Sequence, residues 1–358
     1  MPHLPAVNLD QPTDPRPGED LPTDRLGAYL REHVPELPGE LTGVRQFRGG
    51  HANLTYALTV GGREVVLRRP PRGRIAPGTH DMQREYRVLR ALAPHFAPAP
   101  RAYHYCGDGD VLGAPFVLLE LRRGVVARRT VPEAFAATPD AATRLTRSLV
   151  AAAADLHALD PARLDLPADF GRPAGYLERQ VRGAAKRWAL AADPDDDGAV
   201  PRTLEALARD IPAPQRVSVV HNDVKPDNCQ WQPGDPDRVT ALFDWDQATL
   251  GDPLLDVGNT LAYWPDPRLP RELIATVSLR GDWPDKAYVR DAYAERSGLD
   301  LARLPWYESL ALIRTAVIAQ QLYRRYADGQ GGDARMAGFG QAARALGALA
   351  GARAREAT

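Results

Sequence analysis

The chain has 358 residues, 44% of them hydrophobic, enough for a core spread over two lobes or domains. Its formal net charge is -1 and its arginines are scattered, which excludes the basic footprint of a nucleic-acid-binding protein. Two cysteines, Cys106 and Cys229, argue against a disulfide framework or a thiolate metal centre; with no apolar run of membrane-spanning length, a cytoplasmic protein is expected.

Residues 1–40 begin MPHLPAVNLDQPTDPRPGED, rich in proline and acid and without the basic stretch and apolar core of an export signal; they read as a flexible arm with a lead-in helix. FRGGHANLTYALTV then places Gly49 and Gly50 before a strand, with Asn53 and Thr55 as side-chain donors in the same loop. The two glycines do not complete a GxGxxG pattern, so a plain hairpin turn stays open. Gly61 and Gly62 form a two-residue hairpin turn into REVVLRRP. Arg68 and Arg69 lie on that second strand, and alternation alone does not say which points inward. In THDMQREYRVLRALAPH, Met82, Tyr86 and Leu89 fall at helical intervals and Glu85 sits beside the stripe. A carboxylate there is costly without a cation, which makes Arg68 its best partner; a solvated position is the alternative. APFVLLELRRG reads as a buried strand ending in a polar turn.

From Asp140 onward the pattern is helical, with Leu145, Leu149, Leu156 and Leu159 keeping one face apolar. His157 on that helix reads as a satisfied core or surface histidine. Further helices are expected over 176–190, 201–210, 286–297, 304–326 and 336–355. ADPDDDGAVP is an acidic loop rich in helix breakers, either a solvated linker or an attraction for a cationic substrate.

The most informative stretch is VVHNDVKPDNCQW, residues 219–231, where His221, Asp223 and Asn228 have the spacing HxDxxxxN of a phosphoryl-transfer loop. A hydroxyl attacking the terminal phosphate of ATP needs a carboxylate to orient it and take its proton, the role of Asp223. Asn228 suits a Mg2+ ligand, Lys225 can neutralise charge on the transferring group, and His221 is expected to brace the loop. A polar surface turn would share these residue types. The flanking apolar run and the short alternating segment 229–232 favour a loop between strands. After a turn-rich stretch over 232–237, the strand-like run 239–243 delivers Asp244, a second hard-oxygen ligand. Asp246 is either a further metal contact or a hydrogen-bonding group. Asp252 and Asp256, in GDPLLDVGN, read as capping or buried structural carboxylates. No nucleophile elbow accompanies Asp223 and His221, which disfavours a hydrolase.

VVHNDVKPDN and FDWDQATLGDPLLDVGN together resemble the aminoglycoside phosphotransferase family, and LRRPP near Leu67 resembles the branch of kinase-like domains fused to acyl-CoA dehydrogenases. The resemblance implies an α+β, two-lobed protein-kinase-like fold: a small antiparallel β lobe over 41–121 binding the nucleotide, and a larger, mainly helical lobe over 122–358 holding the catalytic and acceptor sites. It implies ATP and Mg2+ as cofactors and a small-molecule hydroxyl acceptor, such as an aminoglycoside or a hydroxyacyl compound. Arg68 then stands where the family usually has a lysine, and Glu120 and Leu121 at the hinge whose backbone meets the adenine. Trp264, Trp306 and Tyr307 are candidate substrate contacts, packing being the alternative. A nucleotide-binding pseudokinase is the rival from another class, and the sequence leaves the oligomeric state open.

Overall fold

The structure is a computed structural model that describes residues 11–48, 53–71, 81–128, 130–193, 196–268, 283–329 and 334–357. The chain divides into two compact units: Met1–Val125 with Leu164–Pro167 and Thr240–Asp246, and Val126–Arg163 with Ala168–Val239 and Gln247–Thr358.

In the first unit the described elements run α1 (Thr23–His33), β1 (Leu41–Gln46), β2 (Leu54–Val60), β3 (Arg63–Arg69), α2 (Met82–Leu92), β4 (Ala102–Cys106), a short α3 (Gly109–Leu112) and β5 (Phe116–Glu120). The strands form one antiparallel sheet in the order β1-β2-β3-β5-β4. Gly61 and Gly62 join β2 to β3 at φ 54° and 78°, the left-handed pair that a two-residue turn requires. Strand alternation divides β3: Val65 and Leu67 join Leu26 and Leu30 of α1 and Phe116 and Leu118 of β5 in one apolar core, and Arg69 shares their face. Arg68 points to the opposite face. Helix α2, capped by Asp81 through the Arg84 amide at 3.0 Å, packs against β4 and β5.

The second unit is mainly helical. Its elements begin with β6 (Val125–Val126), α4 (Ala141–Ala158), α5 (Tyr176–Ala191), α6 (Ala199–Arg209) and β7 (Ser218–Val220). They continue with β8 (Cys229–Gln232), β9 (Asp235–Leu242, whose end from Thr240 belongs to the first unit), β10 (Thr249–Gly251), α7 (Pro253–Tyr263), α8 (Lys286–Ser297), α9 (Leu304–Ala327) and α10 (Phe339–Glu356). Strands β7 and β10 pair antiparallel, and β6, β8 and β9 form a second small sheet in that order. Helix α9 packs against α7 and α10, and Gly258 of α7 is needed there: a Cβ would lie 2.7 Å from the Tyr307 carbonyl oxygen.

The α+β expectation, a small antiparallel-sheet unit and a larger helical one, matches this architecture. The turn expected over 232–237 is tighter than that: Gly234 takes φ 79°, and a two-residue Pro233-Gly234 turn leads straight from β8 into β9. Among the described residues no helix is long and apolar enough to cross a membrane.

Candidate active site

In the first unit, β3 delivers Arg68 to a cluster of carboxylates. One guanidinium nitrogen of Arg68 donates to Glu85 of α2, and Nη2 reaches Asp244 Oδ1 at 3.3 Å. Glu85 is 1% exposed; burial pushes its pKa up to about 7 against the restraining charge of Arg68. Burial also works against the Arg68 charge, but Glu85, Asp244 and Asp246 outweigh it and raise its pKa. One guanidinium therefore faces three carboxylates. That leaves a surplus of negative charge on hard oxygen donors, although among the described residues no three His, Cys, Asp or Glu side chains are grouped so as to hold a metal ion. Arg69 is turned away and donates to the Leu112 carbonyl at 2.8 Å, so the inward arginine is Arg68.

Thr55 stands directly opposite Arg68 across the β2–β3 ladder, and Asn53 is buried just before β2. Gly49 and Gly50 lie outside the described residues. The Glu120 amide donates to the Arg101 carbonyl at 2.8 Å; its carboxylate accepts the Arg101 amide at 3.1 Å and forms an ion pair with Arg122, whose Nε lies 2.9 Å away. Leu121 follows it, half-buried.

In the second unit the segment after β7 is fixed from beneath. Asp256 of α7 is 1% exposed; one oxygen accepts the His221 amide at 2.6 Å and His157 Nε2 at 3.1 Å, and the other accepts the Asn222 amide. A carboxylate only accepts, so His157 carries a proton on Nε2; its Nδ1 meets the Tyr293 hydroxyl at 2.8 Å. Burial alone would raise the Asp256 pKa, but the bonds and charge from His157 and His221 reverse it, so the net shift is downward. His221 is fully buried, and its Nδ1 accepts the Asp223 amide at 3.3 Å.

The Asp223 carboxylate, in a residue 6% exposed, receives Lys225 Nζ at 2.8 and 3.1 Å and Asn228 Nδ2 at 2.8 Å. Asn228 Nδ2 also donates to the Asp223 carbonyl at 2.9 Å, which fixes the amide's orientation and leaves Oδ1 as its oxygen donor. Lys225 lies over the Tyr263 ring, 5.0 Å from its centroid. Burial lowers the Lys225 pKa, but Asp223 and its neighbours outweigh it and raise it. Asp227 is pushed up to about 6, first by burial, with Lys225 and Arg128 holding it down.

Among the described residues only three non-glycines take positive φ: Asp140, Asn222 and Asp244. Two of the three stand at residues singled out for chemistry, one beside Asp223 in the second unit and one at the expected metal ligand in the first. Backbone strain of this kind concentrates at functional positions.

Several site residues escaped sequence reasoning. Asn222 Oδ1 accepts from Tyr176 at 3.0 Å and from Arg314 Nη1 at 3.2 Å, while Arg314 Nη1 also reaches Asn259 Oδ1 at 3.1 Å. A lone arginine inside the apolar run SLALIRTAVIA was the signal for Arg314. Trp264, Trp306 and Tyr307 are packing residues, each at most 3% exposed, with their polar atoms bonded to Pro284, Leu207 and Asp252.

The model of a family described as phosphotransferase enzyme family matches residues 43–299. Acyl-CoA dehydrogenase family member 11 of Homo sapiens is 31% identical over 310 residues, 84% of this chain and 39% of that protein. Acyl-CoA dehydrogenase family member 10 of Mus musculus is 29% identical over 322 residues, 88% of this chain and 29% of that protein. The chain thus spans well under half the length of these relatives. A crystal structure from Ralstonia eutropha, assigned by name to the aminoglycoside phosphotransferases, superposes with a TM-score of 0.79 at 28% identity over 95% of this chain and all of that one. A thermostable mutant of aminoglycoside phosphotransferase APH(4)-Ia, in a ternary complex with AMP-PNP and hygromycin B, shares the fold with a TM-score of 0.58 at 20% identity, covering 92% of this chain and 98% of that one.

Proposed function

The chain belongs to the phosphotransferase enzyme family, and from that premise we propose that it is a small-molecule kinase moving the γ-phosphate of ATP to an alcohol hydroxyl. One observation carries this reading: a nearly buried Asp223 carboxylate, held by Lys225 and Asn228 on a loop whose backbone amides Asp256 fixes. Such a carboxylate is preorganised to orient a hydroxyl and take its proton. The acceptor oxygen forms a bond to the γ-phosphorus, the bond from that phosphorus to the bridging oxygen breaks, ADP leaves, and the hydroxyl proton passes to Asp223.

Lys225 shifts from Asp223 toward the transferring phosphoryl group as charge builds there. Arg68, with Thr55 and Asn53 nearby, meets the nucleotide phosphates; its planar fork can bridge two oxygens where an ammonium would reach one. Gly49 and Gly50 would add backbone amides. The Glu120 amide is committed to Arg101, so the amides that would meet the adenine begin at Leu121. Asp244 and Asp246 would hold Mg2+, which, when bound, neutralises phosphate oxygens, and Asn228 Oδ1 is the metal-ligand oxygen that the catalytic loop itself would offer. Two buried free thiols, Cys106 and Cys229, fit a reducing compartment, and we place the protein in the cytoplasm.

A second reading, a nucleotide-binding module without transfer activity, draws on Arg68 standing in place of the usual lysine. Phosphorus NMR of the full chain with MgATP and a panel of alcohols separates the two. Loss of the γ-phosphate signal with growth of a new phosphomonoester supports the kinase. Nucleotide binding with no phosphomonoester from any alcohol supports the module.

A further inference from the structure

The catalytic-loop end of the second unit carries cations that its own carboxylates do not neutralise. Arg314 of α9 is half-buried, and its bonds to Asn222 and Asn259 go to neutral amide oxygens. Arg187 of α5 folds back over Gly183, where a Cβ would lie 3.2 Å from its Nη1. Tyr176, at the amino-terminal end of the same helix, meets Asn222. Helices α5 and α9 pack together, and Arg187 titrates below its ordinary value, first through burial and then through the charge of Arg314. Among the described residues neither arginine has a carboxylate partner. Arg314 stands beside the residue that precedes Asp223, and two like charges on packed helices within electrostatic reach of each other are costly until an anion joins them.

The nearby acids do not offset them. Asp193 accepts from Gln320 at 3.1 Å and pairs with Arg324 at 3.3 Å, and Asp196 accepts from Trp188 at 3.0 Å. Asp197 accepts the Ala199 amide at 2.8 Å. These carboxylates of the acidic loop are bound to the protein's own helices. On the catalytic loop, Asp223 faces Lys225, and Asp227 feels Lys225 and Arg128. A polyamine acceptor would meet two arginines here, while of the described carboxylates named in this subsection Asp227 alone keeps a buried oxygen without a hydrogen-bond partner.

We propose that Arg314 and Arg187 form the acceptor's anion-binding site, so that the alcohol phosphorylated at Asp223 carries a carboxylate or phosphate group and not the amines of an aminoglycoside. Arg314 fixes one edge of the site through Asn222 and offers its remaining N–H groups; Arg187 closes the other edge as a mobile counter-charge. The inference rests on reading Asp223 as the group that receives the acceptor hydroxyl.

The test uses the full chain with MgATP and matched short alcohols ending in a carboxylate, a phosphate monoester, a primary amide or an amine. It reads kcat/KM for each, together with calorimetric binding of the same four compounds. The expected result is a preference of about 10- to 100-fold for the anionic alcohols over the amide, the span of one charge-assisted hydrogen bond. Whichever of carboxylate and phosphate is preferred names the natural group. Arg187→Ala, which removes no side-chain hydrogen bond among the described residues, is expected to erase that preference by lowering the anionic values alone. Arg314→Gln is expected to do the same while keeping a donor for Asn222 and Asn259. Equal or better use of the amine or amide, or a preference that survives both substitutions, overturns the inference. If no alcohol accepts phosphate, the kinase reading fails and the binding arm decides separately. Anion binding lost in Arg187→Ala upholds the site; binding without charge preference overturns it.

Discussion

Replacing Asp256 by Asn tests whether the candidate catalytic loop is held from beneath by a single carboxylate. The carboxylate takes three hydrogen bonds, from the His221 amide at 2.6 Å, from the Asn222 amide and from His157 Nε2 at 3.1 Å. An asparagine has one acceptor oxygen, so in either orientation its NH2 faces at least one N–H and orphans it. A buried donor left unsatisfied costs roughly 1–3 kcal/mol, and the charge-assisted character of the other bonds is lost as well, so about 3 kcal/mol is expected. For a unit of this size that lowers the melting temperature by roughly 6–12 °C. Every tryptophan but Trp245 lies in the second unit, so fluorescence reports the relevant transition. The pH dependence has a definite sign. The Asp256 pKa is depressed in the fold, so its contribution is present above the unfolded value of about 3.9 and is lost as pH falls through the folded one. The gap between wild type and Asp256→Asn is therefore wide at neutral pH and closes on acidification below about pH 4. An unchanged melting temperature, or a gap independent of pH, would refute the anchoring role.

Glu85→Gln probes the opposite sign: burial raises Glu85 to about 7 from an ordinary 4.5, so its ionisation weakens the fold as pH climbs between those values. The substitution is expected to flatten that decline, worth up to about 3 kcal/mol, in urea titrations across the range. Gly258→Ala forces a Cβ to within 2.7 Å of the Tyr307 backbone oxygen, and its thermal midpoint should fall by the roughly 1–3 kcal/mol typical of overpacking. Arg68→Lys is expected to keep the buried Glu85 satisfied and the melting temperature near that of wild type. Arg68→Met leaves that carboxylate without its cation and should cost roughly 3–5 kcal/mol, read by chemical denaturation.

What the sequence made legible was local. His221, Asp223, Lys225 and Asn228 fall within eight residues, and the reach of one loop turned their spacing into contacts of 2.8 to 3.3 Å. The Arg68–Glu85 pair was legible for another reason, because a carboxylate on an apolar helical stripe has few inexpensive partners. Choosing Arg68 over Arg69 required knowing which face of β3 the α1 leucines cover, and tertiary packing alone decides that. Asp256 and Arg314 act on Asn222 from 34 and 92 residues away, beyond any local pattern. Trp264, Trp306 and Tyr307 drew attention as large aromatics, yet their ring polar atoms all find partners inside the protein.

The central claim is tested most directly by transfer of the γ-phosphate of MgATP in wild type and in Asp223→Asn, with nucleotide affinity measured in both. The account predicts transfer by the wild type, a fall of about 10²- to 10⁴-fold in kcat for the variant, and nucleotide affinity little changed. Transfer that survives Asp223→Asn undiminished would contradict it.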